Sequence, residues 1–285
     1  MRSIFVLSIL SFAVSGIAFG QVSPTRVQLQ LPDILTRMQN ADLHTRITAF
    51  NDLIAYSSAD SPHGTKPKGP SETLNNFLIR HPESADQVKL TVIQLLAEEN
   101  HSFIESKSPP PDSNANDDVG EYYAELVDTV SSLNDDRAIP ALVGAMTTGG
   151  MAQRGVLKYG DKALSSVMEQ LKSPDALVRA SALGMAKGIL EQKNDAASHA
   201  LVISLIQSSL KDPGAVVRRE AVQEIDCLDE RKDFIPVLEV IAKTDPDKLP
   251  GRALDGGDGG QFYPVRADAR QTLRHIKNNE SCDQP

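Results

Sequence analysis

The chain has 285 residues, of which 40% are apolar, enough to build a folded core and to argue against disorder throughout. It has no Trp and only 5 Tyr and 8 Phe, so its apolar residues are mostly aliphatic, which favours packed helices over an aromatic-lined pocket. The 29 Lys and Arg against 38 Asp and Glu give a net charge of −9, which argues against a nucleic-acid-binding protein.

The first twenty residues have the features of an export signal. Arg2 gives a positive start, Ile4 to Val14 form an apolar run, and Ala18-Phe19-Gly20 is a small-x-small cleavage site. The apolar run is too short to span a bilayer comfortably. The alternative is a buried N-terminal helix. We expect residues 1–20 to be removed and the protein to be exported, either to the periplasm or outside the cell.

Short sequence elements recur along the chain. Two segments, Ser173–Leu183 and Lys211–Val222, share a turn, a Val-Arg pair and an apolar helix. Tyr263–Leu273 repeats the Val-Arg start, and Asn40–Phe50 is a weaker copy. Their arginines Arg179, Arg218 and Arg266 are 39 and 48 residues apart. This spacing is close to the ~40–47 residues of two-helix repeats.

A second element precedes these segments and places a proline near the start of an apolar run. It occurs at Ala138–Leu142, Phe234–Leu238 and Leu31–Leu35. Proline is tolerated in the first helical turn because its missing N–H would have no partner there. Each repeat is therefore predicted to be a helix A, a turn and a helix B, with apolar residues at helical spacing such as Val217, Ala221 and Ile225.

This combination of a turn aspartate, Val-Arg and Ile-Pro-x-Leu resembles HEAT repeats, in particular the HEAT-like repeats of phycobilisome lyases. The resemblance is good from Asp135 to Ile276 and weaker from Leu29 to Glu99, and Gln153–Gly160 resembles a shortened helix B. It implies an all-α fold, an α-solenoid (superhelix) of two-helix HEAT-like repeats, that binds proteins. The lyases attach chromophores in a cytoplasmic setting, so the export signal argues against that activity here.

The predicted organisation follows from these repeats and from three loops. In chain order it is a signal peptide (1–20), divergent helical repeats (21–105), a Pro/Asp/Asn-rich linker that could be a domain joint (106–120), a repeat array (121–277) with a Gly-rich loop (245–264), and a polar tail (278–285). The segment Asp112–Asp118 resembles the start of a calcium loop but lacks its glycine and its final glutamate. A solvated linker is the favoured interpretation, and no metal site is predicted.

The two cysteines, Cys227 and Cys282, form an even pair in a chain that carries an export signal. A disulfide between them would attach the polar tail to the last repeats. The alternative is two free thiols.

The repeat arginines occupy one structural register at the edge of the apolar stripe. Arg suits a ladder of contacts to turn acids because its planar fork bonds two acceptors at once. We therefore predict a structural ladder, with contact to a ligand as the alternative. The predicted ladder residues are Asp175, Arg179, Asp212, Arg218 and Arg266.

The resemblance also implies that the B helices line the concave side, where a protein partner would bind. The helix faces opposite the apolar stripes carry the candidate residues Lys187, Glu191, Arg219, Gln223, Asp226, Glu230, Gln271 and Arg274. The alternative is a solvated face without a partner. Because these side chains are expected to be exposed, replacing Arg219, Asp226 and Arg274 by alanine should barely change stability.

No motif of a hydrolase, a P-loop or a dinucleotide site occurs, and the six histidines lack metal-ligand spacing. No catalytic residue and no cofactor are predicted. The expected function is an exported scaffold that binds a protein partner and has no membrane span. The sequence does not indicate its oligomeric state. The rival hypotheses are an enzyme or enzyme subunit of the cell envelope, with a site in the N-terminal half or the long loops, and a purely structural envelope component.

Overall fold

The computed structural model describes residues 30–60, 68–102, 117–250 and 261–280. The predicted signal peptide, most of the calcium-like segment and Cys282 lie outside these ranges, as does half of the Gly-rich loop. Among the described residues, no helix is long and apolar enough to cross a membrane.

The described residues form an array of α-helices. In chain order these are α1 (Leu31–Arg37), α2 (Leu43–Ala59), α3 (Pro70–Arg80), α4 (Pro82–Asn100), α5 (Asp117–Ser132), α6 (Ile139–Gly144), α7 (Gly150–Tyr159), α8 (Asp161–Gln170), α9 (Ala176–Lys193), α10 (Ala196–Ser209), α11 (Ala215–Asp226), α12 (Ile235–Thr244) and α13 (Pro264–Asn278). Short 3-10 turns precede α6, α7 and α12. Two-residue strands β1 (Leu249–Pro250) and β2 (Gln261–Phe262) pair antiparallel before α13.

The helix starts follow from local sequence. Proline occupies the first turn of α1, α6 and α12, which confirms the predicted A helices. The Asp42 and Asp175 side chains each accept a backbone N–H from the first turn, at the starts of α2 and α9. The shortened helix B predicted at Gln153–Gly160 is α7, which has 10 residues.

The helices are arranged in two layers of different spacing. The inner layer (α3, α5, α7, α9, α11 and α13) is continuous, because each of these helices packs directly on the next. The outer layer is α4, α6, α8, α10 and α12. In the C-terminal half the outer helices α8, α10 and α12 pack mainly on inner helices rather than on one another. A stack with closer inner helices curves toward them, so this chain is an α-solenoid with the inner layer on its concave side.

The hydrophobic core does not divide at the predicted linker. One cluster of buried side chains includes residues from α1 through α9, and a second runs from α9 to α13. Across the 103–116 segment, the rings of Phe50 on α2 and Tyr122 on α5 meet edge to face with centroids 5.6 Å apart. The helices on the two sides of this segment therefore share one core rather than forming separate ones.

The predicted apolar stripes mostly face this core. Val217, Ala221 and Ile225 on α11 are buried, as expected. Leu201 on α10 is an exception, since it is 37% exposed although the pattern places it in the stripe. It lies on the outer layer, where the neighbouring outer helices do not cover it.

Candidate functional site

An arginine at the start of helix B connects successive repeats. On α9, Arg179 donates from Nε and Nη2 to the two carboxylate oxygens of Asp212, at 2.9 and 2.7 Å. Its Nη1 donates to the carbonyls of Ser173 and Pro174 in its own turn. The Arg179 side chain lowers the pKa of Asp212 by this hydrogen bonding. One guanidinium thus fixes a turn to the turn of the following repeat.

The same arrangement recurs one repeat later. Arg218 donates from Nε and Nη2 to Asp245, at 2.7 and 2.9 Å, and from Nη1 to the carbonyls of Asp212 and Pro213. Both arginines bond the carbonyls five and six residues before them. Each arginine therefore connects its own turn to the turn of the next repeat.

Sequence reasoning missed a third member of this set. Arg46 on α2 donates from Nε and Nη2 to Glu99, at 2.7 and 3.0 Å, and from Nη1 to the carbonyls of Asn40 and Ala41. Tyr122 donates its hydroxyl to the same carboxylate. The weaker repeat segment at residues 40–50 could have indicated this role, because its arginine has the same position relative to the turn.

Two predicted ladder residues behave differently. Asp175 is not an arginine partner, since its carboxylate caps α9 by accepting the N–H of Leu177 at 2.8 Å. Arg266 donates to the backbone carbonyl of Asp245 at 2.6 Å, and its guanidinium lies 4.0 Å from the ring centroid of Tyr263. A proline in the first turn of α13 and the strand pair before it give this last repeat a different entry.

The inner layer contains a groove of about 660 Å³ formed by α7, α11 and α13. We call it the inner groove, and it is lined by Gln153, Leu157, Glu220, Gln223, Glu224, Asp226, Cys227, Asp268, Gln271, Thr272 and His275. Helix α7 reaches this groove across α9 because Gly188 has no side chain. A methyl group there would lie 2.9 Å from the Leu157 side chain.

The predicted partner-binding residues are distributed between two surfaces. Gln223, Asp226 and Gln271 line the inner groove. Glu230 instead lines an outer groove of about 700 Å³ between α10 and α12, where it pairs with His199. Glu230 therefore does not belong with the residues of the inner groove, because it follows α11, where the chain turns toward the outer layer.

The remaining predicted residues lie beside the groove. Glu191 lies near the end of α9 in a smaller cleft that also includes Cys227. Arg274 is exposed on α13. Lys187 was predicted to be exposed, but its side chain is only 7% exposed because Glu191 and Glu224 enclose its ammonium group.

The charged side chains of the groove wall pair with one another. Arg219 donates to Asp268 at 2.8 Å, and Gln223 donates to the same carboxylate. Asp226, whose side chain is 14% exposed, is hydrogen-bonded to Nδ1 of His275. The expectation that Asp226 is exposed was therefore wrong. Because this carboxylate joins α11 to α13, we now expect alanine at this position to lower stability.

Sequence reasoning also missed two glutamates in this wall. Burial, followed by the negative charge of Glu224, raises the pKa of Glu220 to about 7. Burial by itself would lower the pKa of Lys187, but Glu224 and Glu191 outweigh it and raise that pKa. A helical pattern places both glutamates on one face of α11, but it could not reveal their contact with Lys187, because that residue lies on a different helix.

In the part of the chain that the structure describes, no group of three or more potential ligands could hold a metal ion. The histidine His81 caps the end of α3, where hydrogen bonds from its ring nitrogens to the carboxylates of Asp60 and then Glu83 raise its pKa. These contacts connect helix ends on an exposed surface. They do not form an arrangement of nucleophile and base.

The paired helices, the inner layer and the turn-to-turn arginines define a helical repeat protein. No protein-family model and no curated protein matches the chain. Among solved structures it is similar to a designed armadillo repeat protein in complex with the peptide (KR)4, with 16% identity over 86% of this chain and 99% of that one, at a TM-score of 0.37. An engineered protein from a structural genomics consortium is 17% identical over 88% of this chain and 99% of that one, also at a TM-score of 0.37. At these identities the likeness concerns the fold alone.

Proposed function

We propose that this chain is an exported scaffold of HEAT-like repeats that holds a protein partner in its inner groove. The observation that carries the proposal is the groove itself, which is open, lined mostly by polar residue types and built from three inner helices. Solenoids typically use such extended concave surfaces for binding.

The chemistry of the groove suits a polypeptide. Its charged groups largely pair with one another, as Arg219 does with Asp268, so they hold the shape of the wall. The three glutamines Gln153, Gln223 and Gln271 contribute side-chain amides to the lining. An amide both donates and accepts hydrogen bonds, as the peptide groups of a partner do.

The export part of the proposal rests on the pattern of residues 1–20. Mass spectrometry of the protein recovered from its source cells tests it. We expect a mature N-terminus at Gln21. An intact N-terminus on a protein found inside the cell would contradict export.

The binding site is tested by filling the groove. We expect Gln271→Trp to block partner capture from an envelope extract, because Gln271 lines the groove and is exposed. Its matched control is Gln207→Trp, which places the same bulk in the outer groove. Both exposed changes should leave the thermal unfolding midpoint nearly unchanged. Loss of capture in the control alone would move the binding site to the outer layer.

A further inference from the structure

Three glutamates surround a single lysine where α9 packs on α11, in the wall of the inner groove. Lys187 Nζ lies 3.1 Å from Oε1 of Glu191 and 2.9 Å from Oε2 of Glu224. Glu220 lies one turn before Glu224 on α11, and this i, i+4 spacing places both side chains on the same face of the helix. We call these four residues the α9–α11 cluster.

The cluster is packed against the backbone of α9. A methyl group built on Gly184 would lie 2.9 Å from Oε1 of Glu220 and 3.3 Å from Oε1 of Glu224. Both carboxyl groups therefore occupy the space that a side chain at this position would fill. They are held close together between two helices rather than extended into water.

One ammonium cannot balance three ionised carboxyl groups, and the other cations nearby are engaged. Arg219, on the same helix as Glu220, pairs with Asp268 of α13 at 2.8 Å. Helix α7 contributes only the uncharged Gln153 and Leu157 to the groove.

The remaining charged groups around α11 also have partners. His275 of α13 is hydrogen-bonded to Asp226, and Nη1 of Arg231, which follows α11, lies 3.6 Å from the same carboxylate. His199 of α10 pairs with Glu230 on the outer side. A third negative charge in the α9–α11 cluster would thus lack a cation.

Two carboxyl groups packed at one site with a single ammonium disfavour the ionisation of both, because their like charges repel. We infer that Glu220 and Glu224 hold one proton between them in mildly acidic solution, and that its loss to water as the pH rises loosens the packing of α9 on α11 beneath the inner groove. The formal charge of the cluster then changes from −1 to −2, and the two adjacent carboxylates repel each other.

The direction of the effect follows from the protonation state. The pKa of Glu220 is raised from 4.5 to about 7 by burial and by Glu224. A group whose pKa is raised in the folded state stabilises that state below its unfolded pKa, and the contribution is lost as the pH rises through the folded value. Between about pH 6 and about pH 8, the equilibrium for local opening should rise about tenfold.

The proton is observed directly by carbon-13 NMR titration of the glutamate carboxyl groups in the full chain. We expect one glutamate resonance with a midpoint near pH 7, which is absent from Glu220→Gln. In Glu224→Gln the resonance of Glu220 should titrate at lower pH, because a charged neighbour has been removed. If every glutamate titrates near its ordinary value of about 4.3, the inference is wrong.

The loosening is measured by amide hydrogen exchange in α9 and α11, corrected for the intrinsic effect of pH. Opening should increase about tenfold from about pH 6 to about pH 8 in the wild type and stay nearly constant in Glu220→Gln. The control Glu169→Gln removes an exposed glutamate paired with Lys172 and should keep the wild-type response. A wild-type response that survives in Glu220→Gln would overturn the assignment. Neither measurement needs the partner, so the outcome is independent of the proposed binding function.

Discussion

Replacing Arg218 by alanine should weaken the C-terminal repeats more than almost any other single polar change. Its fork bonds both oxygens of Asp245, at 2.7 and 2.9 Å, and its Nη1 bonds two carbonyls of the preceding turn. The side chains of Arg218 and Asp245 are only 11% and 4% exposed. The change therefore removes bonds that water cannot easily replace.

The magnitude follows from what remains after the change. Burial alone would raise the pKa of Asp245, but the guanidinium of Arg218 and the N–H of Asp247 outweigh it and lower that pKa. Without the arginine, a buried carboxylate and two carbonyls lose their donor. Breaking a buried ion pair by removing one partner costs about 3–5 kcal/mol. We expect the free energy of unfolding of the C-terminal repeats to fall by this amount.

The adjacent residue supplies a matched control. Arg219 also pairs with an aspartate, but its side chain is 42% exposed, so Arg219→Ala should cost about 0–1 kcal/mol. Urea unfolding followed by circular dichroism, together with amide exchange in α11 and α13, measures both variants. The apolar pair Arg218→Met with Asp245→Leu should recover much of the loss. Equal costs for the two arginines would refute the reasoning.

Other predictions concern packing, acid and the cysteines. In thermal unfolding, Gly155→Ala should lower the free energy of unfolding by about 1–3 kcal/mol, because its methyl group would collide with a serine hydroxyl of α5. The control Gly120→Ala places its methyl group in open space within α5 and should be neutral or stabilising by up to about 1 kcal/mol. The pKa of Asp245 is lowered in the folded state, so its contribution to stability is present above its ordinary pKa and is lost as the pH falls through its folded-state pKa. Asp245→Asn should therefore make the loss of stability in acid less steep. A disulfide joining Cys227 to Cys282 would stabilise by about 4 kcal/mol, and a thiol titration of the unfolded exported protein that finds two reactive thiols would exclude it.

The described residues include Cys227 but not Cys282, so this disulfide stays a prediction. Arg231 Nη2 donates to the backbone carbonyl of Glu280 at 2.7 Å. Residue 280 is thus held close to the turn that follows Cys227, only two positions before the second cysteine. The sequence could suggest the pair from its parity, but not that the chain returns to this turn.

Local rules predicted the helices well because the chemistry of each start is local. A proline near the start of an apolar run marks α6 and α12, and the helical spacing of Val217 and Ala221 identifies the buried face of α11. These features depend on residues within one or two turns of each other. No knowledge of the neighbouring repeat is needed.

Contacts between repeats could not be predicted in the same way. The acceptor of Arg218 is Asp245, 27 residues later in a segment interpreted as a loop. The acceptor of Arg46 is Glu99, 53 residues away. The position of each arginine is set by its own turn, but its partner depends on how the next repeat stacks. A helical pattern likewise placed Lys187 on an exposed face without showing that α11 covers it.

The curvature of the array connects these contacts to the two grooves. Gly184 and Gly188 allow glutamates of α11 and a leucine of α7 to approach α9 closely, so the inner helices pack tightly. The outer helices α10 and α12 are correspondingly spread, and the outer groove lies between them. Meanwhile the pairs of Arg179 with Asp212 and Arg218 with Asp245 fix the spacing of successive turns along one edge of the array. We therefore expect a change in curvature to pivot about that edge, so that a partner that widens the inner groove narrows the outer one.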